Sequence, residues 1–316
     1  MIAIILGLIL GNIFNIRKGF LIGLDFTQKY ILKLGIICLG IQLKPFEFIK
    51  FGSIAIPLII VCIVSVLIVI KLLIKKLKIS RGMSYLIAIG STVCGTTAII
   101  ATAPVINAKK SEISYAIANM TVFGVLAMLI YPYFANFYFE GDPMFVGLFL
   151  GTAIHETSQV AAAGLIYDQQ FNSPETLNIS TVTKLIRNTF LVIMIPLFAY
   201  LYNRGQEHQK NYSIINIFPY FVLGFIALII LRNVGDVFFL QTNISGKEMW
   251  VEFVDFVKSS AKIFLSMAMA AVGLSTNLKD LKSMGYKPFV VGFVSLLTVG
   301  VVSLTAIEFF NNLILN

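Results

Sequence analysis

His155 and Glu156 stand side by side in GTAIHETSQ (151–159), inside a run of otherwise apolar residues. An ionisable group at membrane depth costs at least a few kcal/mol, roughly 2.5–3.5 on insertion scales. Such a pair marks either a proton or ion carrier or a polar contact satisfied between helices. His155-Glu156-Thr157-Ser158-Gln159 also comes within one residue of the H-E-x-x-H zinc motif. Its fifth position is Gln159, and the other histidine, His208, lies in a polar loop. An intramembrane zinc hydrolase would lack its second ligand, and no metal site is expected. Further along, Lys184, Arg187 and Asn188 in TKLIRN are spaced to share one helical face. Their heads either snorkel to the membrane surface or offer positive charge to an anion, Arg187 through its bidentate fork.

A second polar insertion matches the first. Gly90, Ser91, Cys94, Gly95, Thr96 and Thr97 in GSTVCGTT align at a constant offset with Gly151, Thr152, His155, Glu156, Thr157 and Ser158. Small residues let a helix break and leave free N–H groups and a positive dipole end at membrane depth, which suits an anion. Carbonyls freed by the same break suit sodium. The ligand's sign stays open on this feature alone.

The elements that must position these residues are membrane-spanning. The chain is 58% hydrophobic and 12% charged, with a mean hydropathy of +0.90. Soluble domains carry about twice that charged fraction, so the side chains here cannot cover a water-facing surface. Apolar segments fall at about 2–14, 30–43, 53–74, 84–106, 115–137, 144–167, 182–203, 213–231, 259–276 and 287–312. Helices are the expected form, since backbone groups in lipid must be satisfied within each segment. No soluble domain interrupts them, which predicts a single transmembrane domain over residues 1–316. The polar stretch 232–258, with Trp250, reads as an interfacial helix. The net charge of +9 comes from Lys and Arg between the spans, a positive-inside pattern rather than a nucleic-acid surface. Cys38, Cys62 and Cys94 lie in apolar segments without metal-ligand spacing and read as small buried hydrophobes.

KLGIICLGIQLKPFEFIKFG (33–52) aligns without gaps on SMAMAAVGLSTNLKDLKSMG (266–285), and a proline-bearing span follows each copy (Pro57, Pro288). The two internal matches together point to a duplicated transporter with inverted repeats. The segments 84–106 and 144–167 either cross as broken helices or re-enter as hairpins. Re-entry gives the matched pair opposite orientation and sharpens the bias of Lys and Arg to one face. The expected fold is therefore all-α and polytopic, with about 8–10 transmembrane helices and two broken or re-entrant segments. GLILG near the start and MAMAAVG (267–273) read as small-residue packing faces.

At GSTVCGTTAIIATAPVI, GTAIHETSQVAAAG, KLIRN and MAMAAVGL-x7-LKSMGYKP the chain resembles the YeiH-type sulfate exporter family, over nearly its whole length. YAIA (115–118), FG (123–124) and IYP (130–132) follow that family's order. The resemblance implies a multi-pass transporter of the bacterial inner membrane, similar in architecture to bile-acid symporters and sodium/proton antiporters. Family members usually carry one more hydrophobic helix before the segment matching MIAIILGLILGNIF.

These readings combine into an expectation of secondary active transport without enzymatic activity. A small inorganic or organosulfur anion would be exported by alternating access, coupled to a proton or sodium ion. Cys94, Gly95, Thr96 and Thr97 with His155, Glu156, Thr157 and Gln159 would form the central site. Lys184, Arg187 and Asn188 would complete its electropositive wall, and Glu156 or His155 would couple. No cofactor is expected; the lipid bilayer is a partner, and a homodimer is a compatible assembly. The alternatives are a cation/proton antiporter of related architecture and, further off, an intramembrane hydrolase.

Overall fold

A computed structural model describes residues 2–13, 18–42, 45–77, 79–203, 221–241, 246–275 and 286–315. His208 and the second half of the 266–285 match lie outside them. The described residues form fourteen α-helices and no strand. They are α1 (Ile2–Ile13), α2 (Lys18–Phe26), α3 (Leu32–Leu39), α4 (Pro45–Leu77), α5 (Arg81–Thr92), α6 (Thr96–Thr102) and α7 (Lys110–Tyr138). The second half comprises α8 (Pro143–Ala153), α9 (Thr157–Phe171), α10 (Pro174–Thr189), α11 (Leu191–Asn203), α12 (Phe221–Gly235), α13 (Lys247–Ser275) and α14 (Tyr286–Leu315). The chain is an all-α polytopic membrane protein. Among the described residues, five stretches are long and apolar enough to cross a membrane: Phe51–Leu73, Ser111–Tyr138, Pro174–Tyr202, Lys247–Ser275 and Phe289–Asn311.

Hydrogen bonds at the helix ends decide between crossing and re-entry. Ser80, the N-cap of α5, donates to Glu112 Oε1 at 2.6 Å, and Glu112 closes the N-terminus of α7 by accepting from Lys109 N–H at 3.0 Å. Residues 80 and 112 are therefore neighbours, so α5 and α6 leave from and return to the face where α7 begins. At the other end of α7, Tyr167 of α9 donates to Asn136 Oδ1 at 2.8 Å. Thr176 at the start of α10 donates to the Pro143 carbonyl at the start of α8, at 3.3 Å. The pair α8 and α9 thus opens from the face where α7 ends. The 29 residues of α7 rise about 43 Å at 1.5 Å each, a full bilayer. The two hairpins enter from opposite faces, the inverted arrangement that the matched motifs predict. Their first limbs of 12 and 11 residues reach roughly 16–18 Å, so the tips meet near mid-membrane.

Around this pair, α4, α7, α10, α11 and α14 form one body. A second set consists of α1, α2, α3, α12 and α13, joined to the first chiefly where α13 lies along α9. The GLILG face does pack on the MAMAAVG face: a Cβ at Gly7 would stand 2.7 Å from the Ala270 carbonyl, and Gly11 abuts Leu274. The stretch 232–258 differs from expectation. Its described residues are the end of α12, a π turn (Asp236–Gln241) and the first turns of α13, and among them there is no separate interfacial helix. The reason is local: Asp236 takes Arg232 at 2.7 Å and Trp250 Nε1 at 2.9 Å, tying the two helices together. Lys247–Lys258 holds no Gly or Pro to stop α13, and it runs straight into the apolar span.

Candidate functional site

The tip of the first hairpin is Val93–Gly95. Gly95 adopts φ +60°, ψ −122°, a region closed to residues with a Cβ, and its N–H reaches back to the Gly90 carbonyl at 3.0 Å. The second tip is Ile154–Glu156, with Glu156 as the extended N-cap of α9. A Cβ on Gly95 would stand 3.4 Å from Glu156 Cβ, so the two tips are in contact.

Each hairpin brings one helix C-terminus and one helix N-terminus to this meeting point. The last carbonyls of α5 and α8 have no partner within their own helices. Two side chains of α10 supply it. Lys184 Nζ donates to the carbonyls of Val93 (2.9 Å), Ile154 (3.0 Å) and His155. Arg187 donates from Nε to Thr92 O (3.0 Å), from Nη2 to Ser91 O (2.6 Å), and from Nη1 to Thr152 O (2.5 Å) and Ile154 O (3.5 Å). Each cation therefore bridges both hairpins, and each is buried, Lys184 at 0% and Arg187 at 1% exposure. Interfacial snorkelling does not describe them, and nor does a wall of free charge lining an open site. Their N–H groups already hold backbone oxygen.

Helix α10 comes this close because the hairpin limbs are small where it crosses them. A Cβ at Gly151 would stand 2.6 Å from the Thr183 side chain, and one at Gly147 equally near Ile179. Asn188, on the same face as Lys184 and Arg187, donates Nδ2 to Thr157 Oγ1 at 3.1 Å. Its Oδ1 is buried without a partner. The face-sharing read from the 184, 187, 188 spacing is thus how α10 engages both tips.

The other half of each tip is more open. Thr97 is exposed, and Thr96, Glu156, Thr157 and Ser158 are partly exposed, all at the N-terminal turns of α6 and α9. The Glu156 carboxyl lies against the Thr96 side chain. Cys94 and His155 are buried behind them. Neither imidazole nitrogen of His155 makes a hydrogen bond of normal geometry; the Ala153 backbone is the polar group alongside. Gln159 turns away into α7, donating to Thr121 O at 3.2 Å, with its amide filling the space that a Cβ on Gly124 would take. All eleven expected site residues therefore lie at or within one turn of the tips. They divide into buried ties (Lys184, Arg187, Asn188, Gln159), buried tip residues (Cys94, Gly95, His155) and an accessible rim (Thr96, Thr97, Glu156, Thr157).

Comparison with known proteins shows the family. Residues 1–292 match the family described as Conserved hypothetical protein 698. The chain belongs to that family. A UPF0324 membrane protein of Streptococcus agalactiae is 36% identical over 304 residues, covering 96% of this chain and 87% of the relative. A UPF0324 membrane protein of Fusobacterium nucleatum is 34% identical over 306 residues (95% and 88%), and one of Clostridium tetani 32% over 315 residues (95% and 86%). No solved structure matches the chain.

Sequence reasoning missed three contributors in this member of the conserved hypothetical protein 698 family. Ser303 of α14 shares a 2.6 Å hydrogen bond with Thr152, fixing the end of α8. Thr121 holds Gln159 as described. Asp168, near the base of α9 and 6% exposed, pairs with Lys262 of α13 at 3.3 Å and links the two helix sets. A serine among valines and leucines in α14 gives no signal of its own. An ionisable residue at the margin of the apolar run in α9, as Asp168 is, does give one.

Proposed function

We propose that this chain is a secondary transporter for a small anion, acting from the cytoplasmic membrane of a bacterium. The observation that carries the reading is the pair of fully buried cations, Lys184 and Arg187, fixed where two inverted hairpins meet at mid-membrane. Fixed positive charge in a low-dielectric centre raises affinity for anions far more than the same charge in water. Beside it stand the first turn of α9, the hydroxyls of Thr96, Thr97 and Thr157, and the buried imidazole of His155, neither nitrogen of which makes a hydrogen bond of normal geometry. Opposed half-helices at a repeat interface are the arrangement that alternating access uses in other transporters. The resemblance to the YeiH-type sulfate exporter family supports the same substrate class, with a sulfur oxyanion or organosulfur anion as the first candidate.

Orientation follows from charge. Lys71, Lys75, Lys76, Arg81, Lys109 and Lys110 gather on the face where α7 begins, and Glu140, Asp142 and Glu175 on the opposite one. The positive-inside rule places the first face in the cytoplasm. Helical rather than barrel construction suits the inner membrane. Glu156, accessible and beside Thr96, is the coupling group, with a proton as its partner and sodium as the alternative ion. A cation/proton antiporter would normally carry aspartates at mid-span, and across both hairpins and α10 the carboxylate at the tips is Glu156 alone. The test is uptake of labelled sulfate, sulfite, thiosulfate and taurine, with sodium and chloride for comparison, into proteoliposomes under a pH gradient. Saturable movement of one of the four, lost in Glu156→Gln, supports the proposal. Movement of sodium alone would transfer it to the antiporter reading.

A further inference from the structure

Charge at the tips can be counted group by group. Lys184 Nζ makes three hydrogen bonds, all to carbonyl oxygens. Three carbonyl partners match the three N–H groups of an ammonium, whereas a neutral amine has two N–H groups and a lone pair. Arg187 uses four of its five N–H groups in the same way and stays charged in any environment a protein provides. Across both hairpins and α10 the acidic residues are Glu156, Asp168 and Glu175. Asp168 is taken by Lys262, and Glu175 sits in the first turn of α10 at the membrane face. That leaves Glu156 as the carboxylate at the tips. The helix ends cancel, since the two C-termini (α5, α8) and two N-termini (α6, α9) contribute partial charges of opposite sign and similar size. The centre thus holds two fixed positive charges and one group that can be −1 or 0.

We infer that this centre takes up a divalent anion together with one proton, carried by Glu156, and a monovalent anion with none. The inference rests on the anion-site reading above and adds the charge class of the ligand and the coupling stoichiometry. With Glu156 ionised the centre has a net charge of +1, which a monoanion neutralises. With Glu156 protonated the net charge is +2, which a dianion neutralises. A net charge buried at membrane depth is costly, so the loaded state that forms is the neutral one in either case. Geometry supplies the second reason. Glu156 is the N-cap of α9, so an anion on that helix's first turn lies beside its carboxyl. Two like charges at such separation do not both stay ionised, and a dianion forces the proton on where a monoanion does not.

The groups facing Glu156 leave it as the acceptor. From the first hairpin it faces Thr96 and Cys94, and from α10 Lys184, with Arg187 one turn further. On its own chain it adjoins His155, which lies beside the same two cations and gains nothing from a third positive charge. From α7 its helix receives the neutral Thr121–Gln159 contact. From α13 it receives the Asp168–Lys262 pair at the far end of α9. The step is a simple addition: one proton from water joins the Glu156 carboxylate as the dianion enters, and leaves again when the dianion does.

The experiment is a titration of the purified full chain in detergent with sodium sulfate and, separately, sodium nitrate. Proton uptake is followed by calorimetry in two buffers of different ionisation enthalpy. Sulfate keeps both charges throughout the working range of pH 6 to 8, so any proton taken up is held by the protein. The expected result is about one proton per sulfate and about zero per nitrate. Sulfate Kd should rise about tenfold per pH unit above the apparent pKa of the site. Glu156→Gln should bind sulfate with no uptake and a Kd that no longer changes with pH. Sulfate binding without proton uptake, or equal uptake with both anions, would overturn the inference while leaving the anion site standing. Uptake that persists in Glu156→Gln would overturn the assignment to Glu156. Failure of both anions to bind would remove the anion-site reading itself and this stoichiometry with it.

Discussion

Replacing Lys184 with Met keeps an unbranched side chain one atom shorter and removes its charge and three donors. The carbonyls of Val93 and His155 then end two half-helices at mid-membrane with nothing to accept from, and that of Ile154 keeps only its 3.5 Å contact with Arg187 Nη1. A buried polar group deprived of its partner costs about 1–3 kcal/mol. Two such carbonyls would together cost about 2–6 kcal/mol, but the variant no longer has to dehydrate an ammonium, which offsets part of the sum. Breaking a buried charged contact on one side costs about 3–5 kcal/mol net. At about 2–4 °C per kcal/mol, Tm falls by roughly 10 °C. Thermal denaturation of the purified protein in detergent, without ligand, reads this directly. Ile193→Ala, on a lipid-facing residue of α11, serves as the control with little change. A Lys184 that existed to touch substrate would behave otherwise: Lys184→Met would keep its Tm and lose only ligand-induced stabilisation. That outcome would refute the assignment of Lys184 as the tie between the hairpins.

Three further outcomes follow from the same geometry. Arg187→Lys keeps the charge but cannot fork to Ser91 and Thr92 on one tip and Thr152 and Ile154 on the other; it should lower Tm by several degrees, and wild-type stability would show that charge alone suffices. Gly95→Ala places a Cβ at φ +60° against Glu156 and should cost about 1–3 kcal/mol in chemical denaturation, whereas Ala substituted at Gly19, with open space around it, should cost little. The Asp168–Lys262 pair has a half-exposed lysine, so a double-mutant cycle of Asp168→Asn and Lys262→Gln should return a coupling below about 1 kcal/mol, and a value several times larger would mean that the pair is shielded from water.

The broken segments were legible because glycine and hydroxyl residues are out of place in a lipid-facing helix, but the sequence left open whether they cross or re-enter, and only re-entry gives the matched motifs opposed orientation. The common face of Lys184, Arg187 and Asn188 was equally legible, since helical spacing alone fixes it. What those side chains bind was not. Carbonyl oxygens belong to every residue, and no letter in the sequence says which are left free at a helix end, so the cations read as substrate ligands. The stretch 232–258 misled for a related reason. Its polarity suggested the membrane surface, but the residue that organises it, Asp236, acts through contacts with Arg232 and Trp250 that bring two helices together. The Asp168–Lys262 pair joins α9 to α13 across a long separation in sequence, beyond the reach of any local pattern.

The central claim is that residues 81–108 and 143–171 are hairpins entering from opposite faces. Substituted-cysteine labelling in sealed membrane vesicles tests it, after Cys38, Cys62 and Cys94 are replaced by Ser. Single cysteines at Ser80, Lys109, Glu140 and Ser173 are then exposed to a membrane-impermeant maleimide from one side at a time. The predicted result is that positions 80 and 109 label from the same side and positions 140 and 173 from the other. Labelling of 80 and 109 from opposite sides would make the first segment a crossing helix and dismantle the site built on its tip.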